Sequence, residues 1–469
     1  MTELVLYNTR TRRKERFEPL VAGQARVYTC GPTVYSPQHI GNLRPVLFSD
    51  LLKRALLAEG LSVCHVTNVT DVGHLTNDVA DSGDDKMELA ARRSGRRAEE
   101  IAAEYTEQWL RDRRRLNCLE PEVLCKATDH IPEQIEMIRL LEAKGVTYAI
   151  ADGLYFDTTR FPRYAEFARL DREELRAGER IGEVEGKRHP ADFALWKLAQ
   201  PGVQRQQEWD SPWGRGFPGW HIECSAMAHR YLGSPFDIHT GGVEHVKVHH
   251  TNEIAQSETA LGIHPWVRFW LHEDWIVFQG EKISKSLGHT LVLQDLVDRG
   301  WLPLSFRYFF LQAHYRKQQN FHDEAMEAAD RGYRRLLQQT LALREAQGEP
   351  DPGALAPWRK RFWEAVRDDL NAPRALAVAG EAAREEGLAP AERRALLEEF
   401  DRWLGLALLT AEVSKDAQES DPRIDGLVAE RQAARARRDF AEADRLRDAL
   451  TAEGIVVDDT PEGPKWRRK

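Results

Sequence analysis

Between Val27 and Thr70 the spacing of apolar residues changes period twice. Val27 to Cys30 and "LSVCHVTNVT" (Leu61 to Thr70) are β-branched runs that predict strands. The segment between them, "LRPVLFSDLLKRALLAEG", sets Leu47, Phe48, Leu51, Leu52 and Ala55 at helical intervals, with Pro45 in the first turn and Gly60 as a stop. Strand, helix, strand predicts a parallel crossover unit, whose ligand lies beyond the carboxyl ends of the strands, where Cys30 and Asp71 stand. Farther along, Asp85 to Arg115 reads as one long charged helix, and "KATDHIPEQIEMIRLLEAKG" as a helix ended by glycine. "YAIADGLYFDT" reads as a hairpin with Asp152-Gly153 at its turn. Phe161 to Gly219 reads as irregular and rich in proline, glycine and tryptophan, as an insertion would be. "GWHIECSAMAHRYLG" returns to a helical rhythm, and "PFDIHTGGVEHVKVHHTNEIAQSETALG" carries a glycine loop into a helix. Beyond about Phe321 the chain turns helical and charged; "VSKDAQESDPR" (Val413 to Arg423) reads as a linker, and the tail as a helical hairpin followed by "GIVVDDTPEGPKWRRK".

A chain of 469 residues exceeds one ordinary core and implies about three domains. With 42% hydrophobic and 30% charged residues, no stretch approaches the ~18 apolar residues that span a bilayer, and the N-terminus lacks the apolar core of a signal peptide. The expectation is a cytoplasmic protein with no membrane partner. Five cysteines (Cys30, Cys64, Cys118, Cys125, Cys224) form no C-x-x-C pair and no disulfide framework, so they are thiols, buried or metal-bound. The net charge of −9 argues against a nucleic-acid coat but not against local patches. "RRSGRR" and "RDRRR" read first as solvated helix faces. The terminal "KWRRK" interleaves Trp466 with Arg467, Arg468 and two lysines, which suits base stacking with phosphate contact and, nearly as well, a tail tryptophan covering a small domain's core.

Three stretches could carry chemistry. In "HHTNE", His249 and Glu253 are four apart and share a helix face, a spacing common at metal sites, and Cys30 and Cys224 could complete a tetrahedral set. Scattered cysteines are more often plain core residues, so spacing alone leaves this weak. "GEKISKSLGHT" puts Lys282 and Lys285 with two serines between glycines, as a phosphate-clasping loop requires or as an exposed polar turn would. "YTCGPTVYSPQHIGN" sets His39, Gly41 and Asn42 at a helix start, whose dipole favours phosphate. The last two together suggest nucleotide activation.

"HIGN" resembles the HIGH signature and "KISKS" the KMSKS signature of class I aminoacyl-tRNA synthetases, in the right order. More narrowly, "CGPTVY…HIGN", "KRHPADFALWK", "SPWGRGFPGWHIECSAM", "HHTNEIAQSE" and "GIVV…WRRK" together are similar to the cysteinyl-tRNA synthetases, from about residue 5 to the C-terminus. The resemblance implies an α/β fold. A Rossmann-like parallel-sheet catalytic domain is expected over 1–320, with an insertion at about 115–219 and the KMSKS-type loop region at 270–320. A helical bundle is expected over 321–412 and a small mixed anticodon-binding domain over 413–469.

The resemblance also implies Zn2+ on Cys30, Cys224, His249 and Glu253, selecting L-cysteine through its sulfur. ATP, with Mg2+, is expected at His39, Gly41, Asn42, Lys282 and Lys285, of which His39, Asn42, Lys282 and Lys285 would be catalytic. Gly31, Thr70, Trp220, His239 and Glu244 would bind the substrate cysteine. Trp466, Arg467 and Arg468 would contact tRNA(Cys), and relatives suggest a monomer. Departures are Asn42 for a histidine, "TDVGHLTND" for a more acidic run, Glu244 for an aspartate and "VHHTNE" for "PHHENE". Two alternatives remain at this point. One is a ligase passing cysteine to the amine of an amino-sugar-inositol, as in mycothiol synthesis. The other is a non-catalytic paralogue that binds RNA or senses cysteine.

Overall fold

The computed structural model describes residues 3–72, 75–77, 82–169, 184–200, 202, 205–278, 281–282, 291–410, 422–437, 439–452, 455–460 and 463–468. It divides into two compact units, Met1–Leu409 and Thr410–Lys469.

The first unit is organised by a five-stranded parallel sheet. Its strands are β1 (Gln24–Thr29), β2 (Ser62–Val69), β3 (Val123–Lys126), β8 (Phe236–Gly242) and β9 (Val267–Glu273), in spatial order β9-β8-β1-β2-β3. β1 and β2 run parallel with Tyr28 opposite Val66, and β8 joins the other edge of β1 with Ile238 opposite Val27. The chain thus winds one way from β1 and later returns on its other side, which opens a crevice at the carboxyl ends of β1 and β8. Helix α1 (Leu43–Ala58) makes the first crossover. Leu43, Leu47, Phe48, Leu51, Leu52, Ala55 and Leu56 are all at or below 2% exposure, because the helical spacing of the sequence turns them onto one side. Gly60 follows at φ +81, a conformation that glycine adopts without strain after a helix.

The expected single helix from Asp85 is two, α2 (Lys86–Ser94) and α3 (Ala98–Arg115). Gly95 ends α2 at φ +66, a left-handed C-cap inside "RRSGRR". Helix α4 (Ile131–Ala143) leads to the hairpin β4 (Thr147–Ile150) and β5 (Gly153–Phe156). Ile150 pairs with Gly153, so the turn residues are Ala151 and Asp152, one position earlier than expected. The stretch read as irregular supplies two more antiparallel strands, β6 (Phe193–Leu198) and β7 (Gly216–Pro218), completing a four-stranded sheet in the order β7-β6-β5-β4. β6 is buried on both faces, so its apolar residues run on without the alternation that marks a half-exposed strand.

Helices α5 (Trp220–Leu232) and α6 (His249–Leu261) follow. Beyond β9 come β10 (Ile276–Phe278), β11 (Glu281–Lys282), α7 (Pro303–Leu311), β12 (Gln319–Phe321) and α8 (Asp323–Leu341), then α9 (Pro352–Arg367), α10 (Ala372–Ala382) and α11 (Pro390–Leu404). The last three pack on one another, with the rings of Phe362 and Phe400 stacked at 3.9 Å. α11 also packs on the first helix, where Trp403 Nε1 donates to Leu51 O at 3.1 Å, and α7 joins that helix through the buried pair Arg307–Asp50 at 2.5 Å.

The second unit holds α12 (Pro422–Ala436), α13 (Phe440–Ala452) and the hairpin β13 (Ile455–Thr460) and β14 (Gly463–Arg468). Most of the stretch read as a linker lies outside the described residues. Trp466 is 5% exposed and shares a core with Ile424, Val428, Leu450 and Ile455. Its expected place as a stacking platform is corrected accordingly: a domain this small has few large apolar side chains, and its indole is used to close the core.

Candidate active site

A cleft of about 1290 Å³ opens at the carboxyl ends of β1, β2 and β8. At one end are Cys30, Gly31, Thr70, Trp220, Cys224 and Glu244; at the other are His39, Gly41 and Asn42.

Cys30 follows the last residue of β1. Gly31, next to it, cannot be anything larger: a Cβ there would sit 1.5 Å from the carbonyl oxygen of Asn68, and the Gly31 N–H donates to Asn68 Oδ1 at 2.9 Å. This close approach of β1 and β2 aims the thiol across the crevice. Cys224 lies one turn into α5, His249 opens α6, and Glu253 is one turn on along the same face. One ligand atom from each of Cys30, Cys224, His249 and Glu253 lies within 4.8 Å of all the others. The two sulfurs are 3.9 Å apart, close to the edge of about 3.8 Å that a tetrahedron with ~2.3 Å metal–sulfur bonds requires. Two thiols, an imidazole and a carboxylate match a thiophilic divalent ion such as zinc.

The electrostatics prepare these groups for a cation. Burial works against a charge on Glu253, yet His239 (2.7 Å) and His249 (2.6 Å) hold its pKa well below the usual carboxylate range. Burial likewise opposes a proton on His249, and Glu253 and Cys224 outweigh it, raising the imidazole to about 10. Cys224 is lowered to about 6, chiefly by the hydrogen bond from Cys30, whose own thiol burial pushes up. His221 and His249 face each other through their Nδ1 atoms at 2.9 Å, and Trp220 stacks on His249 at 4.3 Å and 22°. These two contacts fix the ring plane of a would-be ligand.

Other expected residues separate into those at the cleft and those behind it. Thr70 Oγ1 accepts from Asn68 Nδ2 at 3.1 Å and donates to Glu223 at 3.3 Å, and Glu244 accepts from Trp275 Nε1 at 2.5 Å. His239 is fully buried, stacked on Trp270 at 4.6 Å, and is absent from the cleft wall. What the structure shows of His239 is its 2.7 Å contact with Glu253, which positions that carboxylate. Sequence reasoning passed over His250, which with Cys30, His239 and Glu253 forms a second, overlapping group of ligand atoms. It also passed over His272, 2.7 Å from His250. The doubled histidine of "HHTNE" was the available signal for the first; His272 has none, since strand pairing brings it there.

At the other end, His39 is half-buried with extended backbone (φ −75, ψ 166), and it caps a short turn, Ile40–Asn42, that runs into α1. The first turn of α1 contains no acidic residue, so nothing in it offsets the positive helix end. Arg44 in that turn is engaged below the cleft, donating to Tyr315 O at 3.1 Å and Lys317 O at 2.5 Å. Val292, just past the glycine-flanked loop, bridges to His39 and so ties that loop's exit to the helix start. Lys282 lies in β11 opposite Val277; Lys285 lies outside the described residues.

A parallel sheet wound both ways, with a histidine-bearing helix start at its switch point and Val292 bridged to that histidine, has the fold of a class I aminoacyl-tRNA synthetase. The fold matches the Mycobacterium tuberculosis methionyl-tRNA synthetase bound by methionyl-adenylate, at TM-score 0.55 and 16% identity over 84% of this chain and 92% of that one. It also matches the Agrobacterium radiobacter K84 agnB2 LeuRS-tRNA-LeuAMS ternary complex, at TM-score 0.59 and 12% identity over 85% and 87%. Residues 16–331 match the family described as tRNA synthetases class I (C) catalytic domain, and 417–467 the cysteinyl-tRNA ligase anticodon binding domain. Relatives include Cysteine--tRNA ligase 1 of Burkholderia lata, 49% identical over 98% of this chain and 96% of that protein. The Cysteine--tRNA ligases of Novosphingobium aromaticivorans (44%, covering 99% and 97%) and Thermus thermophilus (41%, covering 99% of each) are similar along their whole length. The chain belongs to the cysteinyl-tRNA synthetase family, ATP-dependent ligases of an amino acid to tRNA. The anticodon-binding match and these relatives favour this over the amine-acceptor ligase and the non-catalytic paralogue. No described helix is long and apolar enough to cross a membrane.

Proposed function

We propose that this enzyme selects L-cysteine by its sulfur at the Cys30, Cys224, His249 and Glu253 group, and activates it with ATP at the adjoining end of the cleft. The observation that carries the reading is the convergence of these four donors beside the start of α1. Zinc held by the four would supply a thiophilic position that serine and alanine cannot fill, where an apolar pocket alone discriminates poorly among small side chains.

The remaining work falls to the chain's own residues. Trp220 and Thr70 wall the amino-acid end, and Glu244 receives the substrate ammonium. His39, the Gly41 backbone and Asn42 meet the triphosphate at the helix end, where the dipole favours anions. The cysteine carboxylate attacks the α-phosphorus in line and pyrophosphate leaves with its bonding electrons. Lys285, with Lys282, neutralises charge on the triphosphate, and Mg2+ accompanies ATP as part of the substrate. The adenylate then passes its cysteinyl group to the terminal ribose of tRNA(Cys), which Arg467 and Arg468 help to hold. The enzyme acts as a cytoplasmic monomer, its helical segment 321–412 and C-terminal segment 413–469 serving the RNA.

The test is transfer of radiolabelled cysteine to bulk bacterial tRNA, beside ATP/pyrophosphate exchange with cysteine and with serine. Base-labile counts in RNA with exchange for cysteine alone are expected; equal exchange with serine would defeat sulfur selection. Deleting the chain after Val413 should spare exchange and depress transfer. Undiminished transfer would refute the role given to the tail.

A further inference from the structure

We propose that Glu273 reads the ribose of ATP. The inference rests on the ATP site proposed above and adds a residue to it. Glu273 ends β9, opposite Gly242 at the end of β8. It is 2% exposed yet lines the cleft, and its Oε2 has no hydrogen-bond partner among the described residues. A buried carboxyl oxygen left without a partner costs free energy, and in a cleft wall it marks a place where a ligand completes the bonding.

Sheet order decides which ligand. Glu273 lies two strands from Cys30, roughly 10 Å at the ~4.8 Å spacing of neighbouring strands, so β8, with Glu244 just past its end, separates it from the Cys30 group. The charged groups acting on it include Glu244, Asp274 and Arg44, the last in the first turn of α1, and its own charge is felt at Cys30. A nucleotide with its phosphates at that helix start lays its sugar along the ends of β8 and β9. The protonation state agrees. Burial, with Glu244 beside it, raises Glu273 to about 8, so at neutral pH its carboxyl carries a proton. A neutral acid offers one donor and one acceptor, which matches a sugar hydroxyl, whereas an ammonium would call for a carboxylate.

The experiment is cysteine-dependent ATP/pyrophosphate exchange by the full chain with ATP, 2′-deoxy-ATP and 3′-deoxy-ATP, on the wild type and on Glu273→Met and Glu273→Gln. Wild type should prefer ATP over at least one deoxy analogue. Glu273→Met should raise the KM for ATP ~3- to 10-fold, leave the KM for cysteine unchanged and erase that preference. Glu273→Gln, which keeps one donor and one acceptor, should retain it. A methionine variant with a raised KM for cysteine and an intact ATP preference would overturn the proposal in favour of an ammonium contact, and a variant unchanged in both would overturn it outright. A wild type indifferent to both deoxy analogues would overturn it even if the methionine variant failed to fold. No exchange with any nucleotide would defeat the proposed function itself, and this inference with it.

Discussion

At the Cys30 end of the cleft the side chains are buried against one another, while at the His39 end they lie more open. Cys224, His249, Glu253, His239 and His250 are all at or below 1% exposure and joined by contacts of 2.6 to 3.9 Å. His39 and Gly41 are half-buried and Asn42 is exposed, at the start of a helix whose first turn carries no acidic residue. The contrast follows from what each end must tell apart. Cysteine differs from serine by one atom, so its site has to be rigid and dry to make that atom count. A triphosphate carries several charges, and on the proposed function a helix end and two lysine side chains suffice to recognise it.

Perturbing each end separately tests that contrast. Cys224→Ser strikes the dry end hardest: metal content should fall in elemental analysis, and the preference for cysteine over serine in exchange should drop by at least ~10²-fold. A fully loaded, still selective variant would break the comparison. Lys285→Ala strikes the open end and should slow adenylate formation ~10²- to 10³-fold with metal content unchanged. Equal rates would remove the loop from the chemistry. His221→Ala, which takes away the partner facing His249 Nδ1 along with ring contacts to Phe193 and Trp220, should weaken metal retention against a chelator ~10-fold. The smallest effect belongs to Asn42→His, which restores the usual signature at an exposed position; kcat/KM for ATP should change less than ~3-fold.

The sequence made some of this architecture legible and hid the rest for physical reasons. α1 and its flanking strands announce themselves because one face of the helix is apolar and both strands are β-branched. β6 escapes notice because burial on both faces removes alternation, and Gly95 reads as part of a charged run although it is where the helix ends. At the site, Cys30, Cys224, His249 and Glu253 are found through a resemblance, since spacing can place only His249 and Glu253 on one face. Glu273 and His272 could not be found at all. Their neighbours come from strands far away in the chain, and no local pattern encodes which strand lies next to which. Trp466 fails in the opposite way: its company of cations suggests a surface, and the needs of a small core decide otherwise.

The separation of Cys30 and Cys224 along the chain, 194 residues, has a meaning for folding. An ion bonded to both would act as a cross-link that closes nearly half the polypeptide into a ring, forbidding the unfolded chain many of its configurations much as a long-range disulfide does. The atom that judges the substrate would then also be a clasp on the whole first unit, and cells short of that metal would lose the protein itself along with its accuracy.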